Sequence, residues 1–286
     1  MGTNDITAFV FAGGGSLGAI EVGMLGELVA AGIKPDLIVG ASAGAINGAY
    51  FAFSPHSDGA AALAAVWRGI RREHVMPWSW LSMLSALRGR RDHFVDGVAL
   101  RKLLRTHFED RRLEDAGVPI HIVATDMDSG NEVVMSDGLA VDAVMASTAI
   151  PGVFPPVMVA GRALIDGGVA NNTPVSTAVR LGAKRVIVLP AGFACAARRA
   201  PRGPIEHAMH ALSLLVARQL VIDLERWADQ VHIAVVPPLC PLDVSPYDYR
   251  QCGTLIDRAA EATRAWLAAG GAAQRGIPGA LRPHQH

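Results

Sequence analysis

The sequence predicts a three-layer α/β/α sandwich, with a mostly parallel central sheet and helices on both faces. Three observations point there. Short β-rich apolar runs alternate with longer helix-period segments, and strands separated by helices pair in parallel through βαβ crossovers. At 286 residues and 51% hydrophobic, the chain can bury roughly three-quarters of the surface its unfolded form exposes, so its core needs no disulfide or metal staple. Charged residues are only 18%, which excludes global disorder, and 26 Lys+Arg balance 26 Asp+Glu. No whole-protein field attracts a polyanion, so no nucleic-acid partner is expected.

Taken in order, Ile6–Phe11 reads as a buried strand, bounded by a charge and by glycines. Leu17–Ala31 follows as a helix that is apolar almost all round, with Gly32 at its C-cap position. Asp36–Val39 is the second strand. Ala43–Phe53 is a second apolar helix, stopped by Pro55. Pro119–Ala124 and Asn131–Met135 flank the turn pair Ser129-Gly130, which predicts a hairpin over 119–135. Lys184–Leu189 and Val231–Val236 are further strands. Between them Ile205, Met209, Leu212, Val216, Leu220, Leu224 and Trp227 recur every three or four residues, the spacing of a long helix with one core face. Residues 252–268 give a last helix. No linker or internal repeat divides the chain, so one domain is expected over 5–269, followed by a frayed tail at 270–286 rich in Gly, Ala, Pro and His. Cys195, Cys240 and Cys252 are too scattered for a disulfide framework and are expected to be small buried hydrophobes. With no basic n-region and no apolar stretch of about twenty residues, the expected location is cytoplasmic.

The strongest local signal is Val39-Gly40-Ala41-Ser42-Ala43-Gly44, a GxSxG pentapeptide between a strand and a helix. A serine hydroxyl is a weak nucleophile that must be presented at the tip of a sharp, strained turn. Side chains at Gly40 and Gly44 would collide where strand and helix cross. A second signal, Gly13-Gly14-Gly15, ends the first strand and exposes a row of backbone N–H donors suited to an anion. Gly13, Gly15 and Gly18 also fit GxGxxG, so a nucleotide-binding oxidoreductase is a rival reading. That fold wants an acidic residue at the far end of the second strand, where this chain has Gly40-Ala41-Ser42; Asp36 begins the strand instead. Consecutive parallel strands end at the same sheet edge, so Gly13–Gly15 and Ser42 are expected to converge, and a serine beside amide donors describes acyl transfer.

The serine needs a base. His207 and His210 sit three apart inside a helix, and His121 and His232 lie within strands, positions that suit surface or core histidines. The 207/210 pair lacks a third ligand, so no metal and no cofactor are expected. Asp166, in Leu164-Ile165-Asp166-Gly167-Gly168, ends an apolar strand, and a carboxylate desolvated against a serine makes a more competent base; a plain Asp turn is the alternative. Asp126-Met127-Asp128-Ser129-Gly130 resembles the start of a calcium loop but lacks the distal glutamate, so a hairpin turn is expected. Residues 76–91 carry two of the five tryptophans and end in Arg88, Arg90 and Arg91. That stretch reads either as a peripheral membrane contact or as a cap or buried helix.

Together these residues resemble the patatin-like phospholipase family. The resemblance rests on Gly13-Gly14-Gly15-Ser16-Leu17-Gly18, Gly40-Ala41-Ser42-Ala43-Gly44-Ala45-Ile46-Asn47-Gly48, Ala124-Thr125-Asp126, Ala146-Ser147-Thr148-Ala149-Ile150-Pro151-Gly152-Val153-Phe154-Pro155-Pro156 and Asp166-Gly167-Gly168-Val169-Ala170-Asn171-Asn172-Thr173-Pro174, in that order. It covers about residues 7–190; beyond 190 it is one of pattern only. The resemblance implies a Ser–Asp dyad without histidine, with Ser42 as nucleophile, Asp166 as base and the backbone of Gly13, Gly14 and Gly15 as oxyanion hole. It also implies a phospholipid or other acyl-ester lipid as substrate and no metal. Leu17 stands where many members carry Arg or Lys, and Ala12 replaces an acidic residue seen in some. A catalytically silent lipid-binding protein is the second rival reading, and neither head-group preference nor oligomeric state follows from composition.

Overall fold

The computed structural model describes residues 5–77, 93–192 and 203–274, and its strands form one eight-stranded sheet. They are β1 (Thr7–Phe11), β2 (Leu37–Ala41), β3 (Ile120–Asp126), β4 (Glu132–Met135), β5 (Val157–Val159), β6 (Arg162–Asp166), β7 (Arg185–Leu189) and β8 (His232–Val235). The order is β5-β6-β3-β2-β1-β7-β8, with β4 paired to β3. β3, β2, β1, β7 and β8 run parallel, while β4, β5 and β6 add antiparallel pairs at one side.

The helices are α1 (Gly18–Ala30), α2 (Ala43–Phe53), α3 (Ser57–Gly69), α4 (Arg72–Val75), α5 (Val98–Phe108), α6 (Ala140–Ser147), α7 (Gly168–Asn171), α8 (Val175–Arg180), α9 (Gly203–Trp227) and α10 (Cys252–Ala268). The period-2 alternation of strand side chains divides them between two layers. Phe9 and Phe11 of β1 join the core with α1, α2, α3, α5, α6 and α10, whereas Ala8 and Val10 join a second core with Val175, Ala178, Leu220 and Leu224 of α8 and α9. Phe9, Phe11, Phe51 and Phe108 are fully buried, each contributing about 1.5–3 kcal/mol by removal from water.

The three-layer expectation is met, and the anticipated strands lie within two residues of those observed. The hairpin forms as β3–β4, closed by Gly130 at φ +72°. β5, only three residues long, carries no pattern of its own and was not anticipated. Gly271–Ala273 adds a 3-10 turn, with the Arg185 guanidinium donating to Ala272 O at 3.3 Å. Cys252 is a buried free thiol whose pKa burial pushes up to about 11. Cys240 departs from the cysteine expectation, because it is disulfide-bonded. Of the tryptophan-rich stretch 76–91, only Met76 and Pro77 fall inside the described residues, and Met76 is buried. Among the described residues no helix is long and apolar enough to cross a membrane.

Candidate active site

Ser42 is the single residue between β2 and α2, at φ 52° and ψ −122°. That conformation costs a non-glycine residue about 1–3 kcal/mol, so its surroundings must over-determine it. Its N–H donates to Ser147 Oγ at 2.8 Å, and the Ser147 hydroxyl donates to Val123 O at 2.5 Å. The Ala45 N–H returns to Ser42 O at 2.9 Å. A Cβ on Gly40 would come within 2.5 Å of Gly44 O, and one on Gly44 within 2.5 Å of the Phe11 backbone. Those two glycines let strand and helix cross as the pentapeptide required.

Sheet register brings Asp166 to the serine. β2 covers β3 as far as Ala41 opposite Val123, and β6 takes over at the next residue, with Asp166 opposite Ala124. The side chains following Ala41 and ending β6 therefore meet, although 124 residues separate them. Ser42 Oγ donates to Asp166 Oδ2 at 2.7 Å, and the Gly168 N–H donates to Oδ1 at 2.7 Å. Thr125 Oγ1 donates to Asp166 O at 2.8 Å, and the Asp166 N–H to Ala149 O at 2.9 Å. Burial pushes the Asp166 pKa up to about 6, against the opposing pull of the Ser42 and Gly168 hydrogen bonds. At neutral pH the carboxylate is ionised yet nearly matched to the medium, which suits a general base.

The glycine loop lies against this pair. A Cβ on Gly13 would stand 3.1 Å from Ser42 Cβ. The Gly13 N–H, however, is committed: it donates to Asn172 O at 2.9 Å, while Asn172 Nδ2 donates back to Gly13 O at 3.1 Å. Of the three amides expected to face an oxyanion, Gly13 is therefore an anchor. The Gly14 and Gly15 N–H groups have no partner among the described residues, and Gly15 sits at φ +58°. The first turn of α2 adds N–H groups with no intrahelical partner and the positive end of its dipole.

A buried network supports the loop from below. Glu21, fully buried in α1, accepts the Ala12 N–H at 2.6 Å and Asn47 Nδ2 at 2.8 Å. Asn47 Nδ2 also reaches Gly18 O at 2.9 Å, and Asn47 Oδ1 accepts Trp67 Nε1–H at 2.7 Å. Burial raises the Glu21 pKa well above its ordinary value, opposed by the hydrogen bonds from Asn47 and Ala12.

Ser42 opens into an apolar cleft walled by Ala43, Ile46 and Tyr50 of α2, by Leu63 and Trp67 of α3 and by Leu100 and Leu104 of α5. A hydroxyl bonded to a carboxylate, uncommitted amides beside it and an apolar cleft together provide for nucleophilic attack on a carbonyl attached to a hydrocarbon chain. Among the other candidates, His121 is half-buried in β3, His207 is exposed on α9 and His232 lies 3.2 Å from Gln274 O. His107 does line the cavity, edge-on to Tyr50 at 5.7 Å. Asp36 is spent at the N-terminal end of β2, accepting the Thr7 N–H at 2.7 Å. Asp126 closes the hairpin turn by accepting the N–H and hydroxyl of Ser129. Among the described residues no group of three or more His, Cys, Asp or Glu is placed to hold a metal.

Sequence reading assigned no part to Ser147, Asn172, Glu21 or Asn47. Asn47, Ser147 and Asn172 lie inside the motifs that carry the family resemblance, and Glu21 is a carboxylate in a segment apolar almost all round, which was the available signal.

A model of the patatin-like phospholipase family matches residues 9–179, more than half of the chain. Patatin-like phospholipase domain-containing protein 7 of Mus musculus is 31% identical over 195 residues, 67% of this chain and 14% of that protein. Neuropathy target esterase sws of Drosophila melanogaster is 28% identical over 192 residues, 66% of this chain and 13% of its own length. The chain thus spans about a seventh of the length of the first relatives it matches (14% of the first). Human GIVD cytosolic phospholipase A2, solved in complex with methyl gamma-linolenyl fluorophosphonate, aligns at TM-score 0.49 and 12% identity, over 93% of this chain and 58% of that one. On the match over residues 9–179, the chain belongs to the patatin-like phospholipase family.

Proposed function

We propose that this chain is a lipid acyl hydrolase working through a Ser42–Asp166 dyad. Asp166 Oδ2 takes the Ser42 hydroxyl proton as Oγ forms a bond to the ester carbonyl carbon. The carbonyl oxygen becomes an oxyanion facing the Gly14 and Gly15 N–H groups and the start of α2. Collapse breaks the bond to the alcohol, which leaves with the proton from Asp166, and the acyl group stays on Ser42. A water then gives a proton to Asp166 as its oxygen attacks the acyl carbon. The fatty acid departs and the proton returns to Ser42.

The observation that carries this reading is the direct 2.7 Å hydrogen bond from Ser42 Oγ to Asp166 Oδ2 at the mouth of an apolar cavity. No histidine is interposed, and the carboxyl is held near the pKa a base needs. The test is labelling with an alkyl fluorophosphonate, followed by ester hydrolysis. Wild type should label on Ser42 and hydrolyse acyl esters, whereas Ser42→Ala and Asp166→Asn should each lose about three orders of magnitude or more in kcat. An unlabelled wild-type serine with intact lipid binding would make this a silent lipid-binding protein.

A further inference from the structure

Well past the family-matched span, residues 245–251 run back across the glycine loop. Pro246 O accepts the Ser16 N–H at 2.8 Å, and Ser245 O accepts the Ser16 hydroxyl at 3.1 Å. A Cβ on Gly15 would come within 2.5 Å of Pro246 O, so this strap rests directly on the loop that carries the uncommitted amides. The strap is itself held: Asp248 caps a 3-10 turn over Tyr249–Gln251 and pairs with the Arg250 guanidinium at 2.9 Å. Its tyrosines, Tyr247 half-buried and Tyr249 only 7% exposed, line the same cavity as Ser42.

An ester attacked by Ser42 has four directions to fill. On the acyl-hydrolase reading the nucleophile comes from the Asp166 side, the oxyanion faces the glycine loop, and the acyl chain takes the apolar arm along Ala43, Ile46 and Tyr50. The alcohol is left to the strap that touches Gly15. We propose that Tyr247, backed by Tyr249, is the specificity-determining residue for the alcohol half of the substrate: its phenol donates to a free hydroxyl next to the scissile ester, as on a glycerol bearing one acyl chain. This rests on the acyl-hydrolase reading above. Burial and the charge of Asp166 both raise the Tyr247 pKa, so the phenol keeps its proton wherever the base is ionised.

The test compares wild type and Tyr247→Phe on two esters of one acyl chain, 1-octanoylglycerol and 4-nitrophenyl octanoate, with 1-octanoyl-lysophosphatidylcholine as a second glycerol ester. The kcat/KM ratio of each glycerol ester to the nitrophenyl ester should fall about tenfold in Tyr247→Phe. A ratio equal to wild type in both would overturn the assignment. If wild type hydrolyses no ester, the acyl-hydrolase reading fails by itself, and calorimetry with the uncleavable ether 1-O-octylglycerol still decides the role of Tyr247. About tenfold weaker binding to Tyr247→Phe supports it, and equal affinity sinks it. A matching thermal melt shows that the variant is folded.

Discussion

Asp166 shows what burying one carboxyl does to stability. Its pKa lies near 3.8 in the unfolded chain and about 6 in the fold, so below pH 3.8 it is protonated in both states. As pH rises through 6 the folded state must ionise a buried group, and stability is lost by an amount on the order of 2–3 kcal/mol. Asparagine can keep the Gly168 N–H bond on its Oδ1 and donate to Ser42 Oγ, without the charge. Asp166→Asn should therefore melt several degrees above wild type at pH 8, with the gap closing by pH 4; equal melting temperatures at pH 8 would show that the carboxylate is not strained. Under the proposed mechanism the same shift sets the activity profile. On an uncharged ester, kcat/KM should rise tenfold per pH unit below about pH 6 and level off above it, and a profile flat from pH 4 to 8 would remove Asp166 as the base. Ser42 and Asp166 were legible because each sits in a local pattern, GxSxG and a strand ending in Asp-Gly-Gly. Ser147 and Asn172 were not, because their work is done on backbone atoms of Ser42 and Gly13, which lie 105 and 159 residues away.

Among the elements, α1 couples the core to the loop. Its N-terminal half carries Glu21 beneath Ala12, and Gly23 is where α10 crosses it. A Cβ on Gly23 would collide with the Ile256 carbonyl and crowd Ala259, whereas Gly26, one turn on, meets nothing within 4 Å. The two glycines predict opposite outcomes. Gly23→Ala should destabilise by about 1–3 kcal/mol by forcing the helices apart. Gly26→Ala should stabilise by up to about 1 kcal/mol by removing a helix-interior glycine. Urea midpoints of the two variants measure both, and a loss at Gly26 would mean that the helix is packed there by something other than its described neighbours. Strand positions were readable because period-2 apolar runs bounded by glycine or charge are local. The buried carboxylate network of Glu21, Asn47 and Trp67 was not, since hydropathy alone cannot show which polar group in an apolar helix has found partners.

For the molecule as a whole, the proposed acyl hydrolysis makes the shape of the apolar cleft the selector of acyl chain length. Ser42, Ala43, Ile46 and Tyr50 lie on one face of α2, and eight residues of helix give that wall a length of about 12 Å. Ile46→Phe should narrow the arm midway and lower kcat/KM for a hexadecanoyl ester about tenfold relative to a butanoyl ester; an unchanged ratio would place the acyl chain elsewhere. By itself the sequence determined the α/β class, the serine turn, the glycine loop and the carboxylate that ends β6, because each depends on residues within a few positions of one another. Tertiary structure alone decided that β6 follows β2 along β3, so that Asp166 meets Ser42; that the Gly13 N–H is committed to Asn172 O; and that a strap more than two hundred residues downstream lays Tyr247 beside the site. The physical reason is range. Propensity and periodicity act over one or two helical turns, whereas strand register and the close approach of backbones are set by the packing of the entire core.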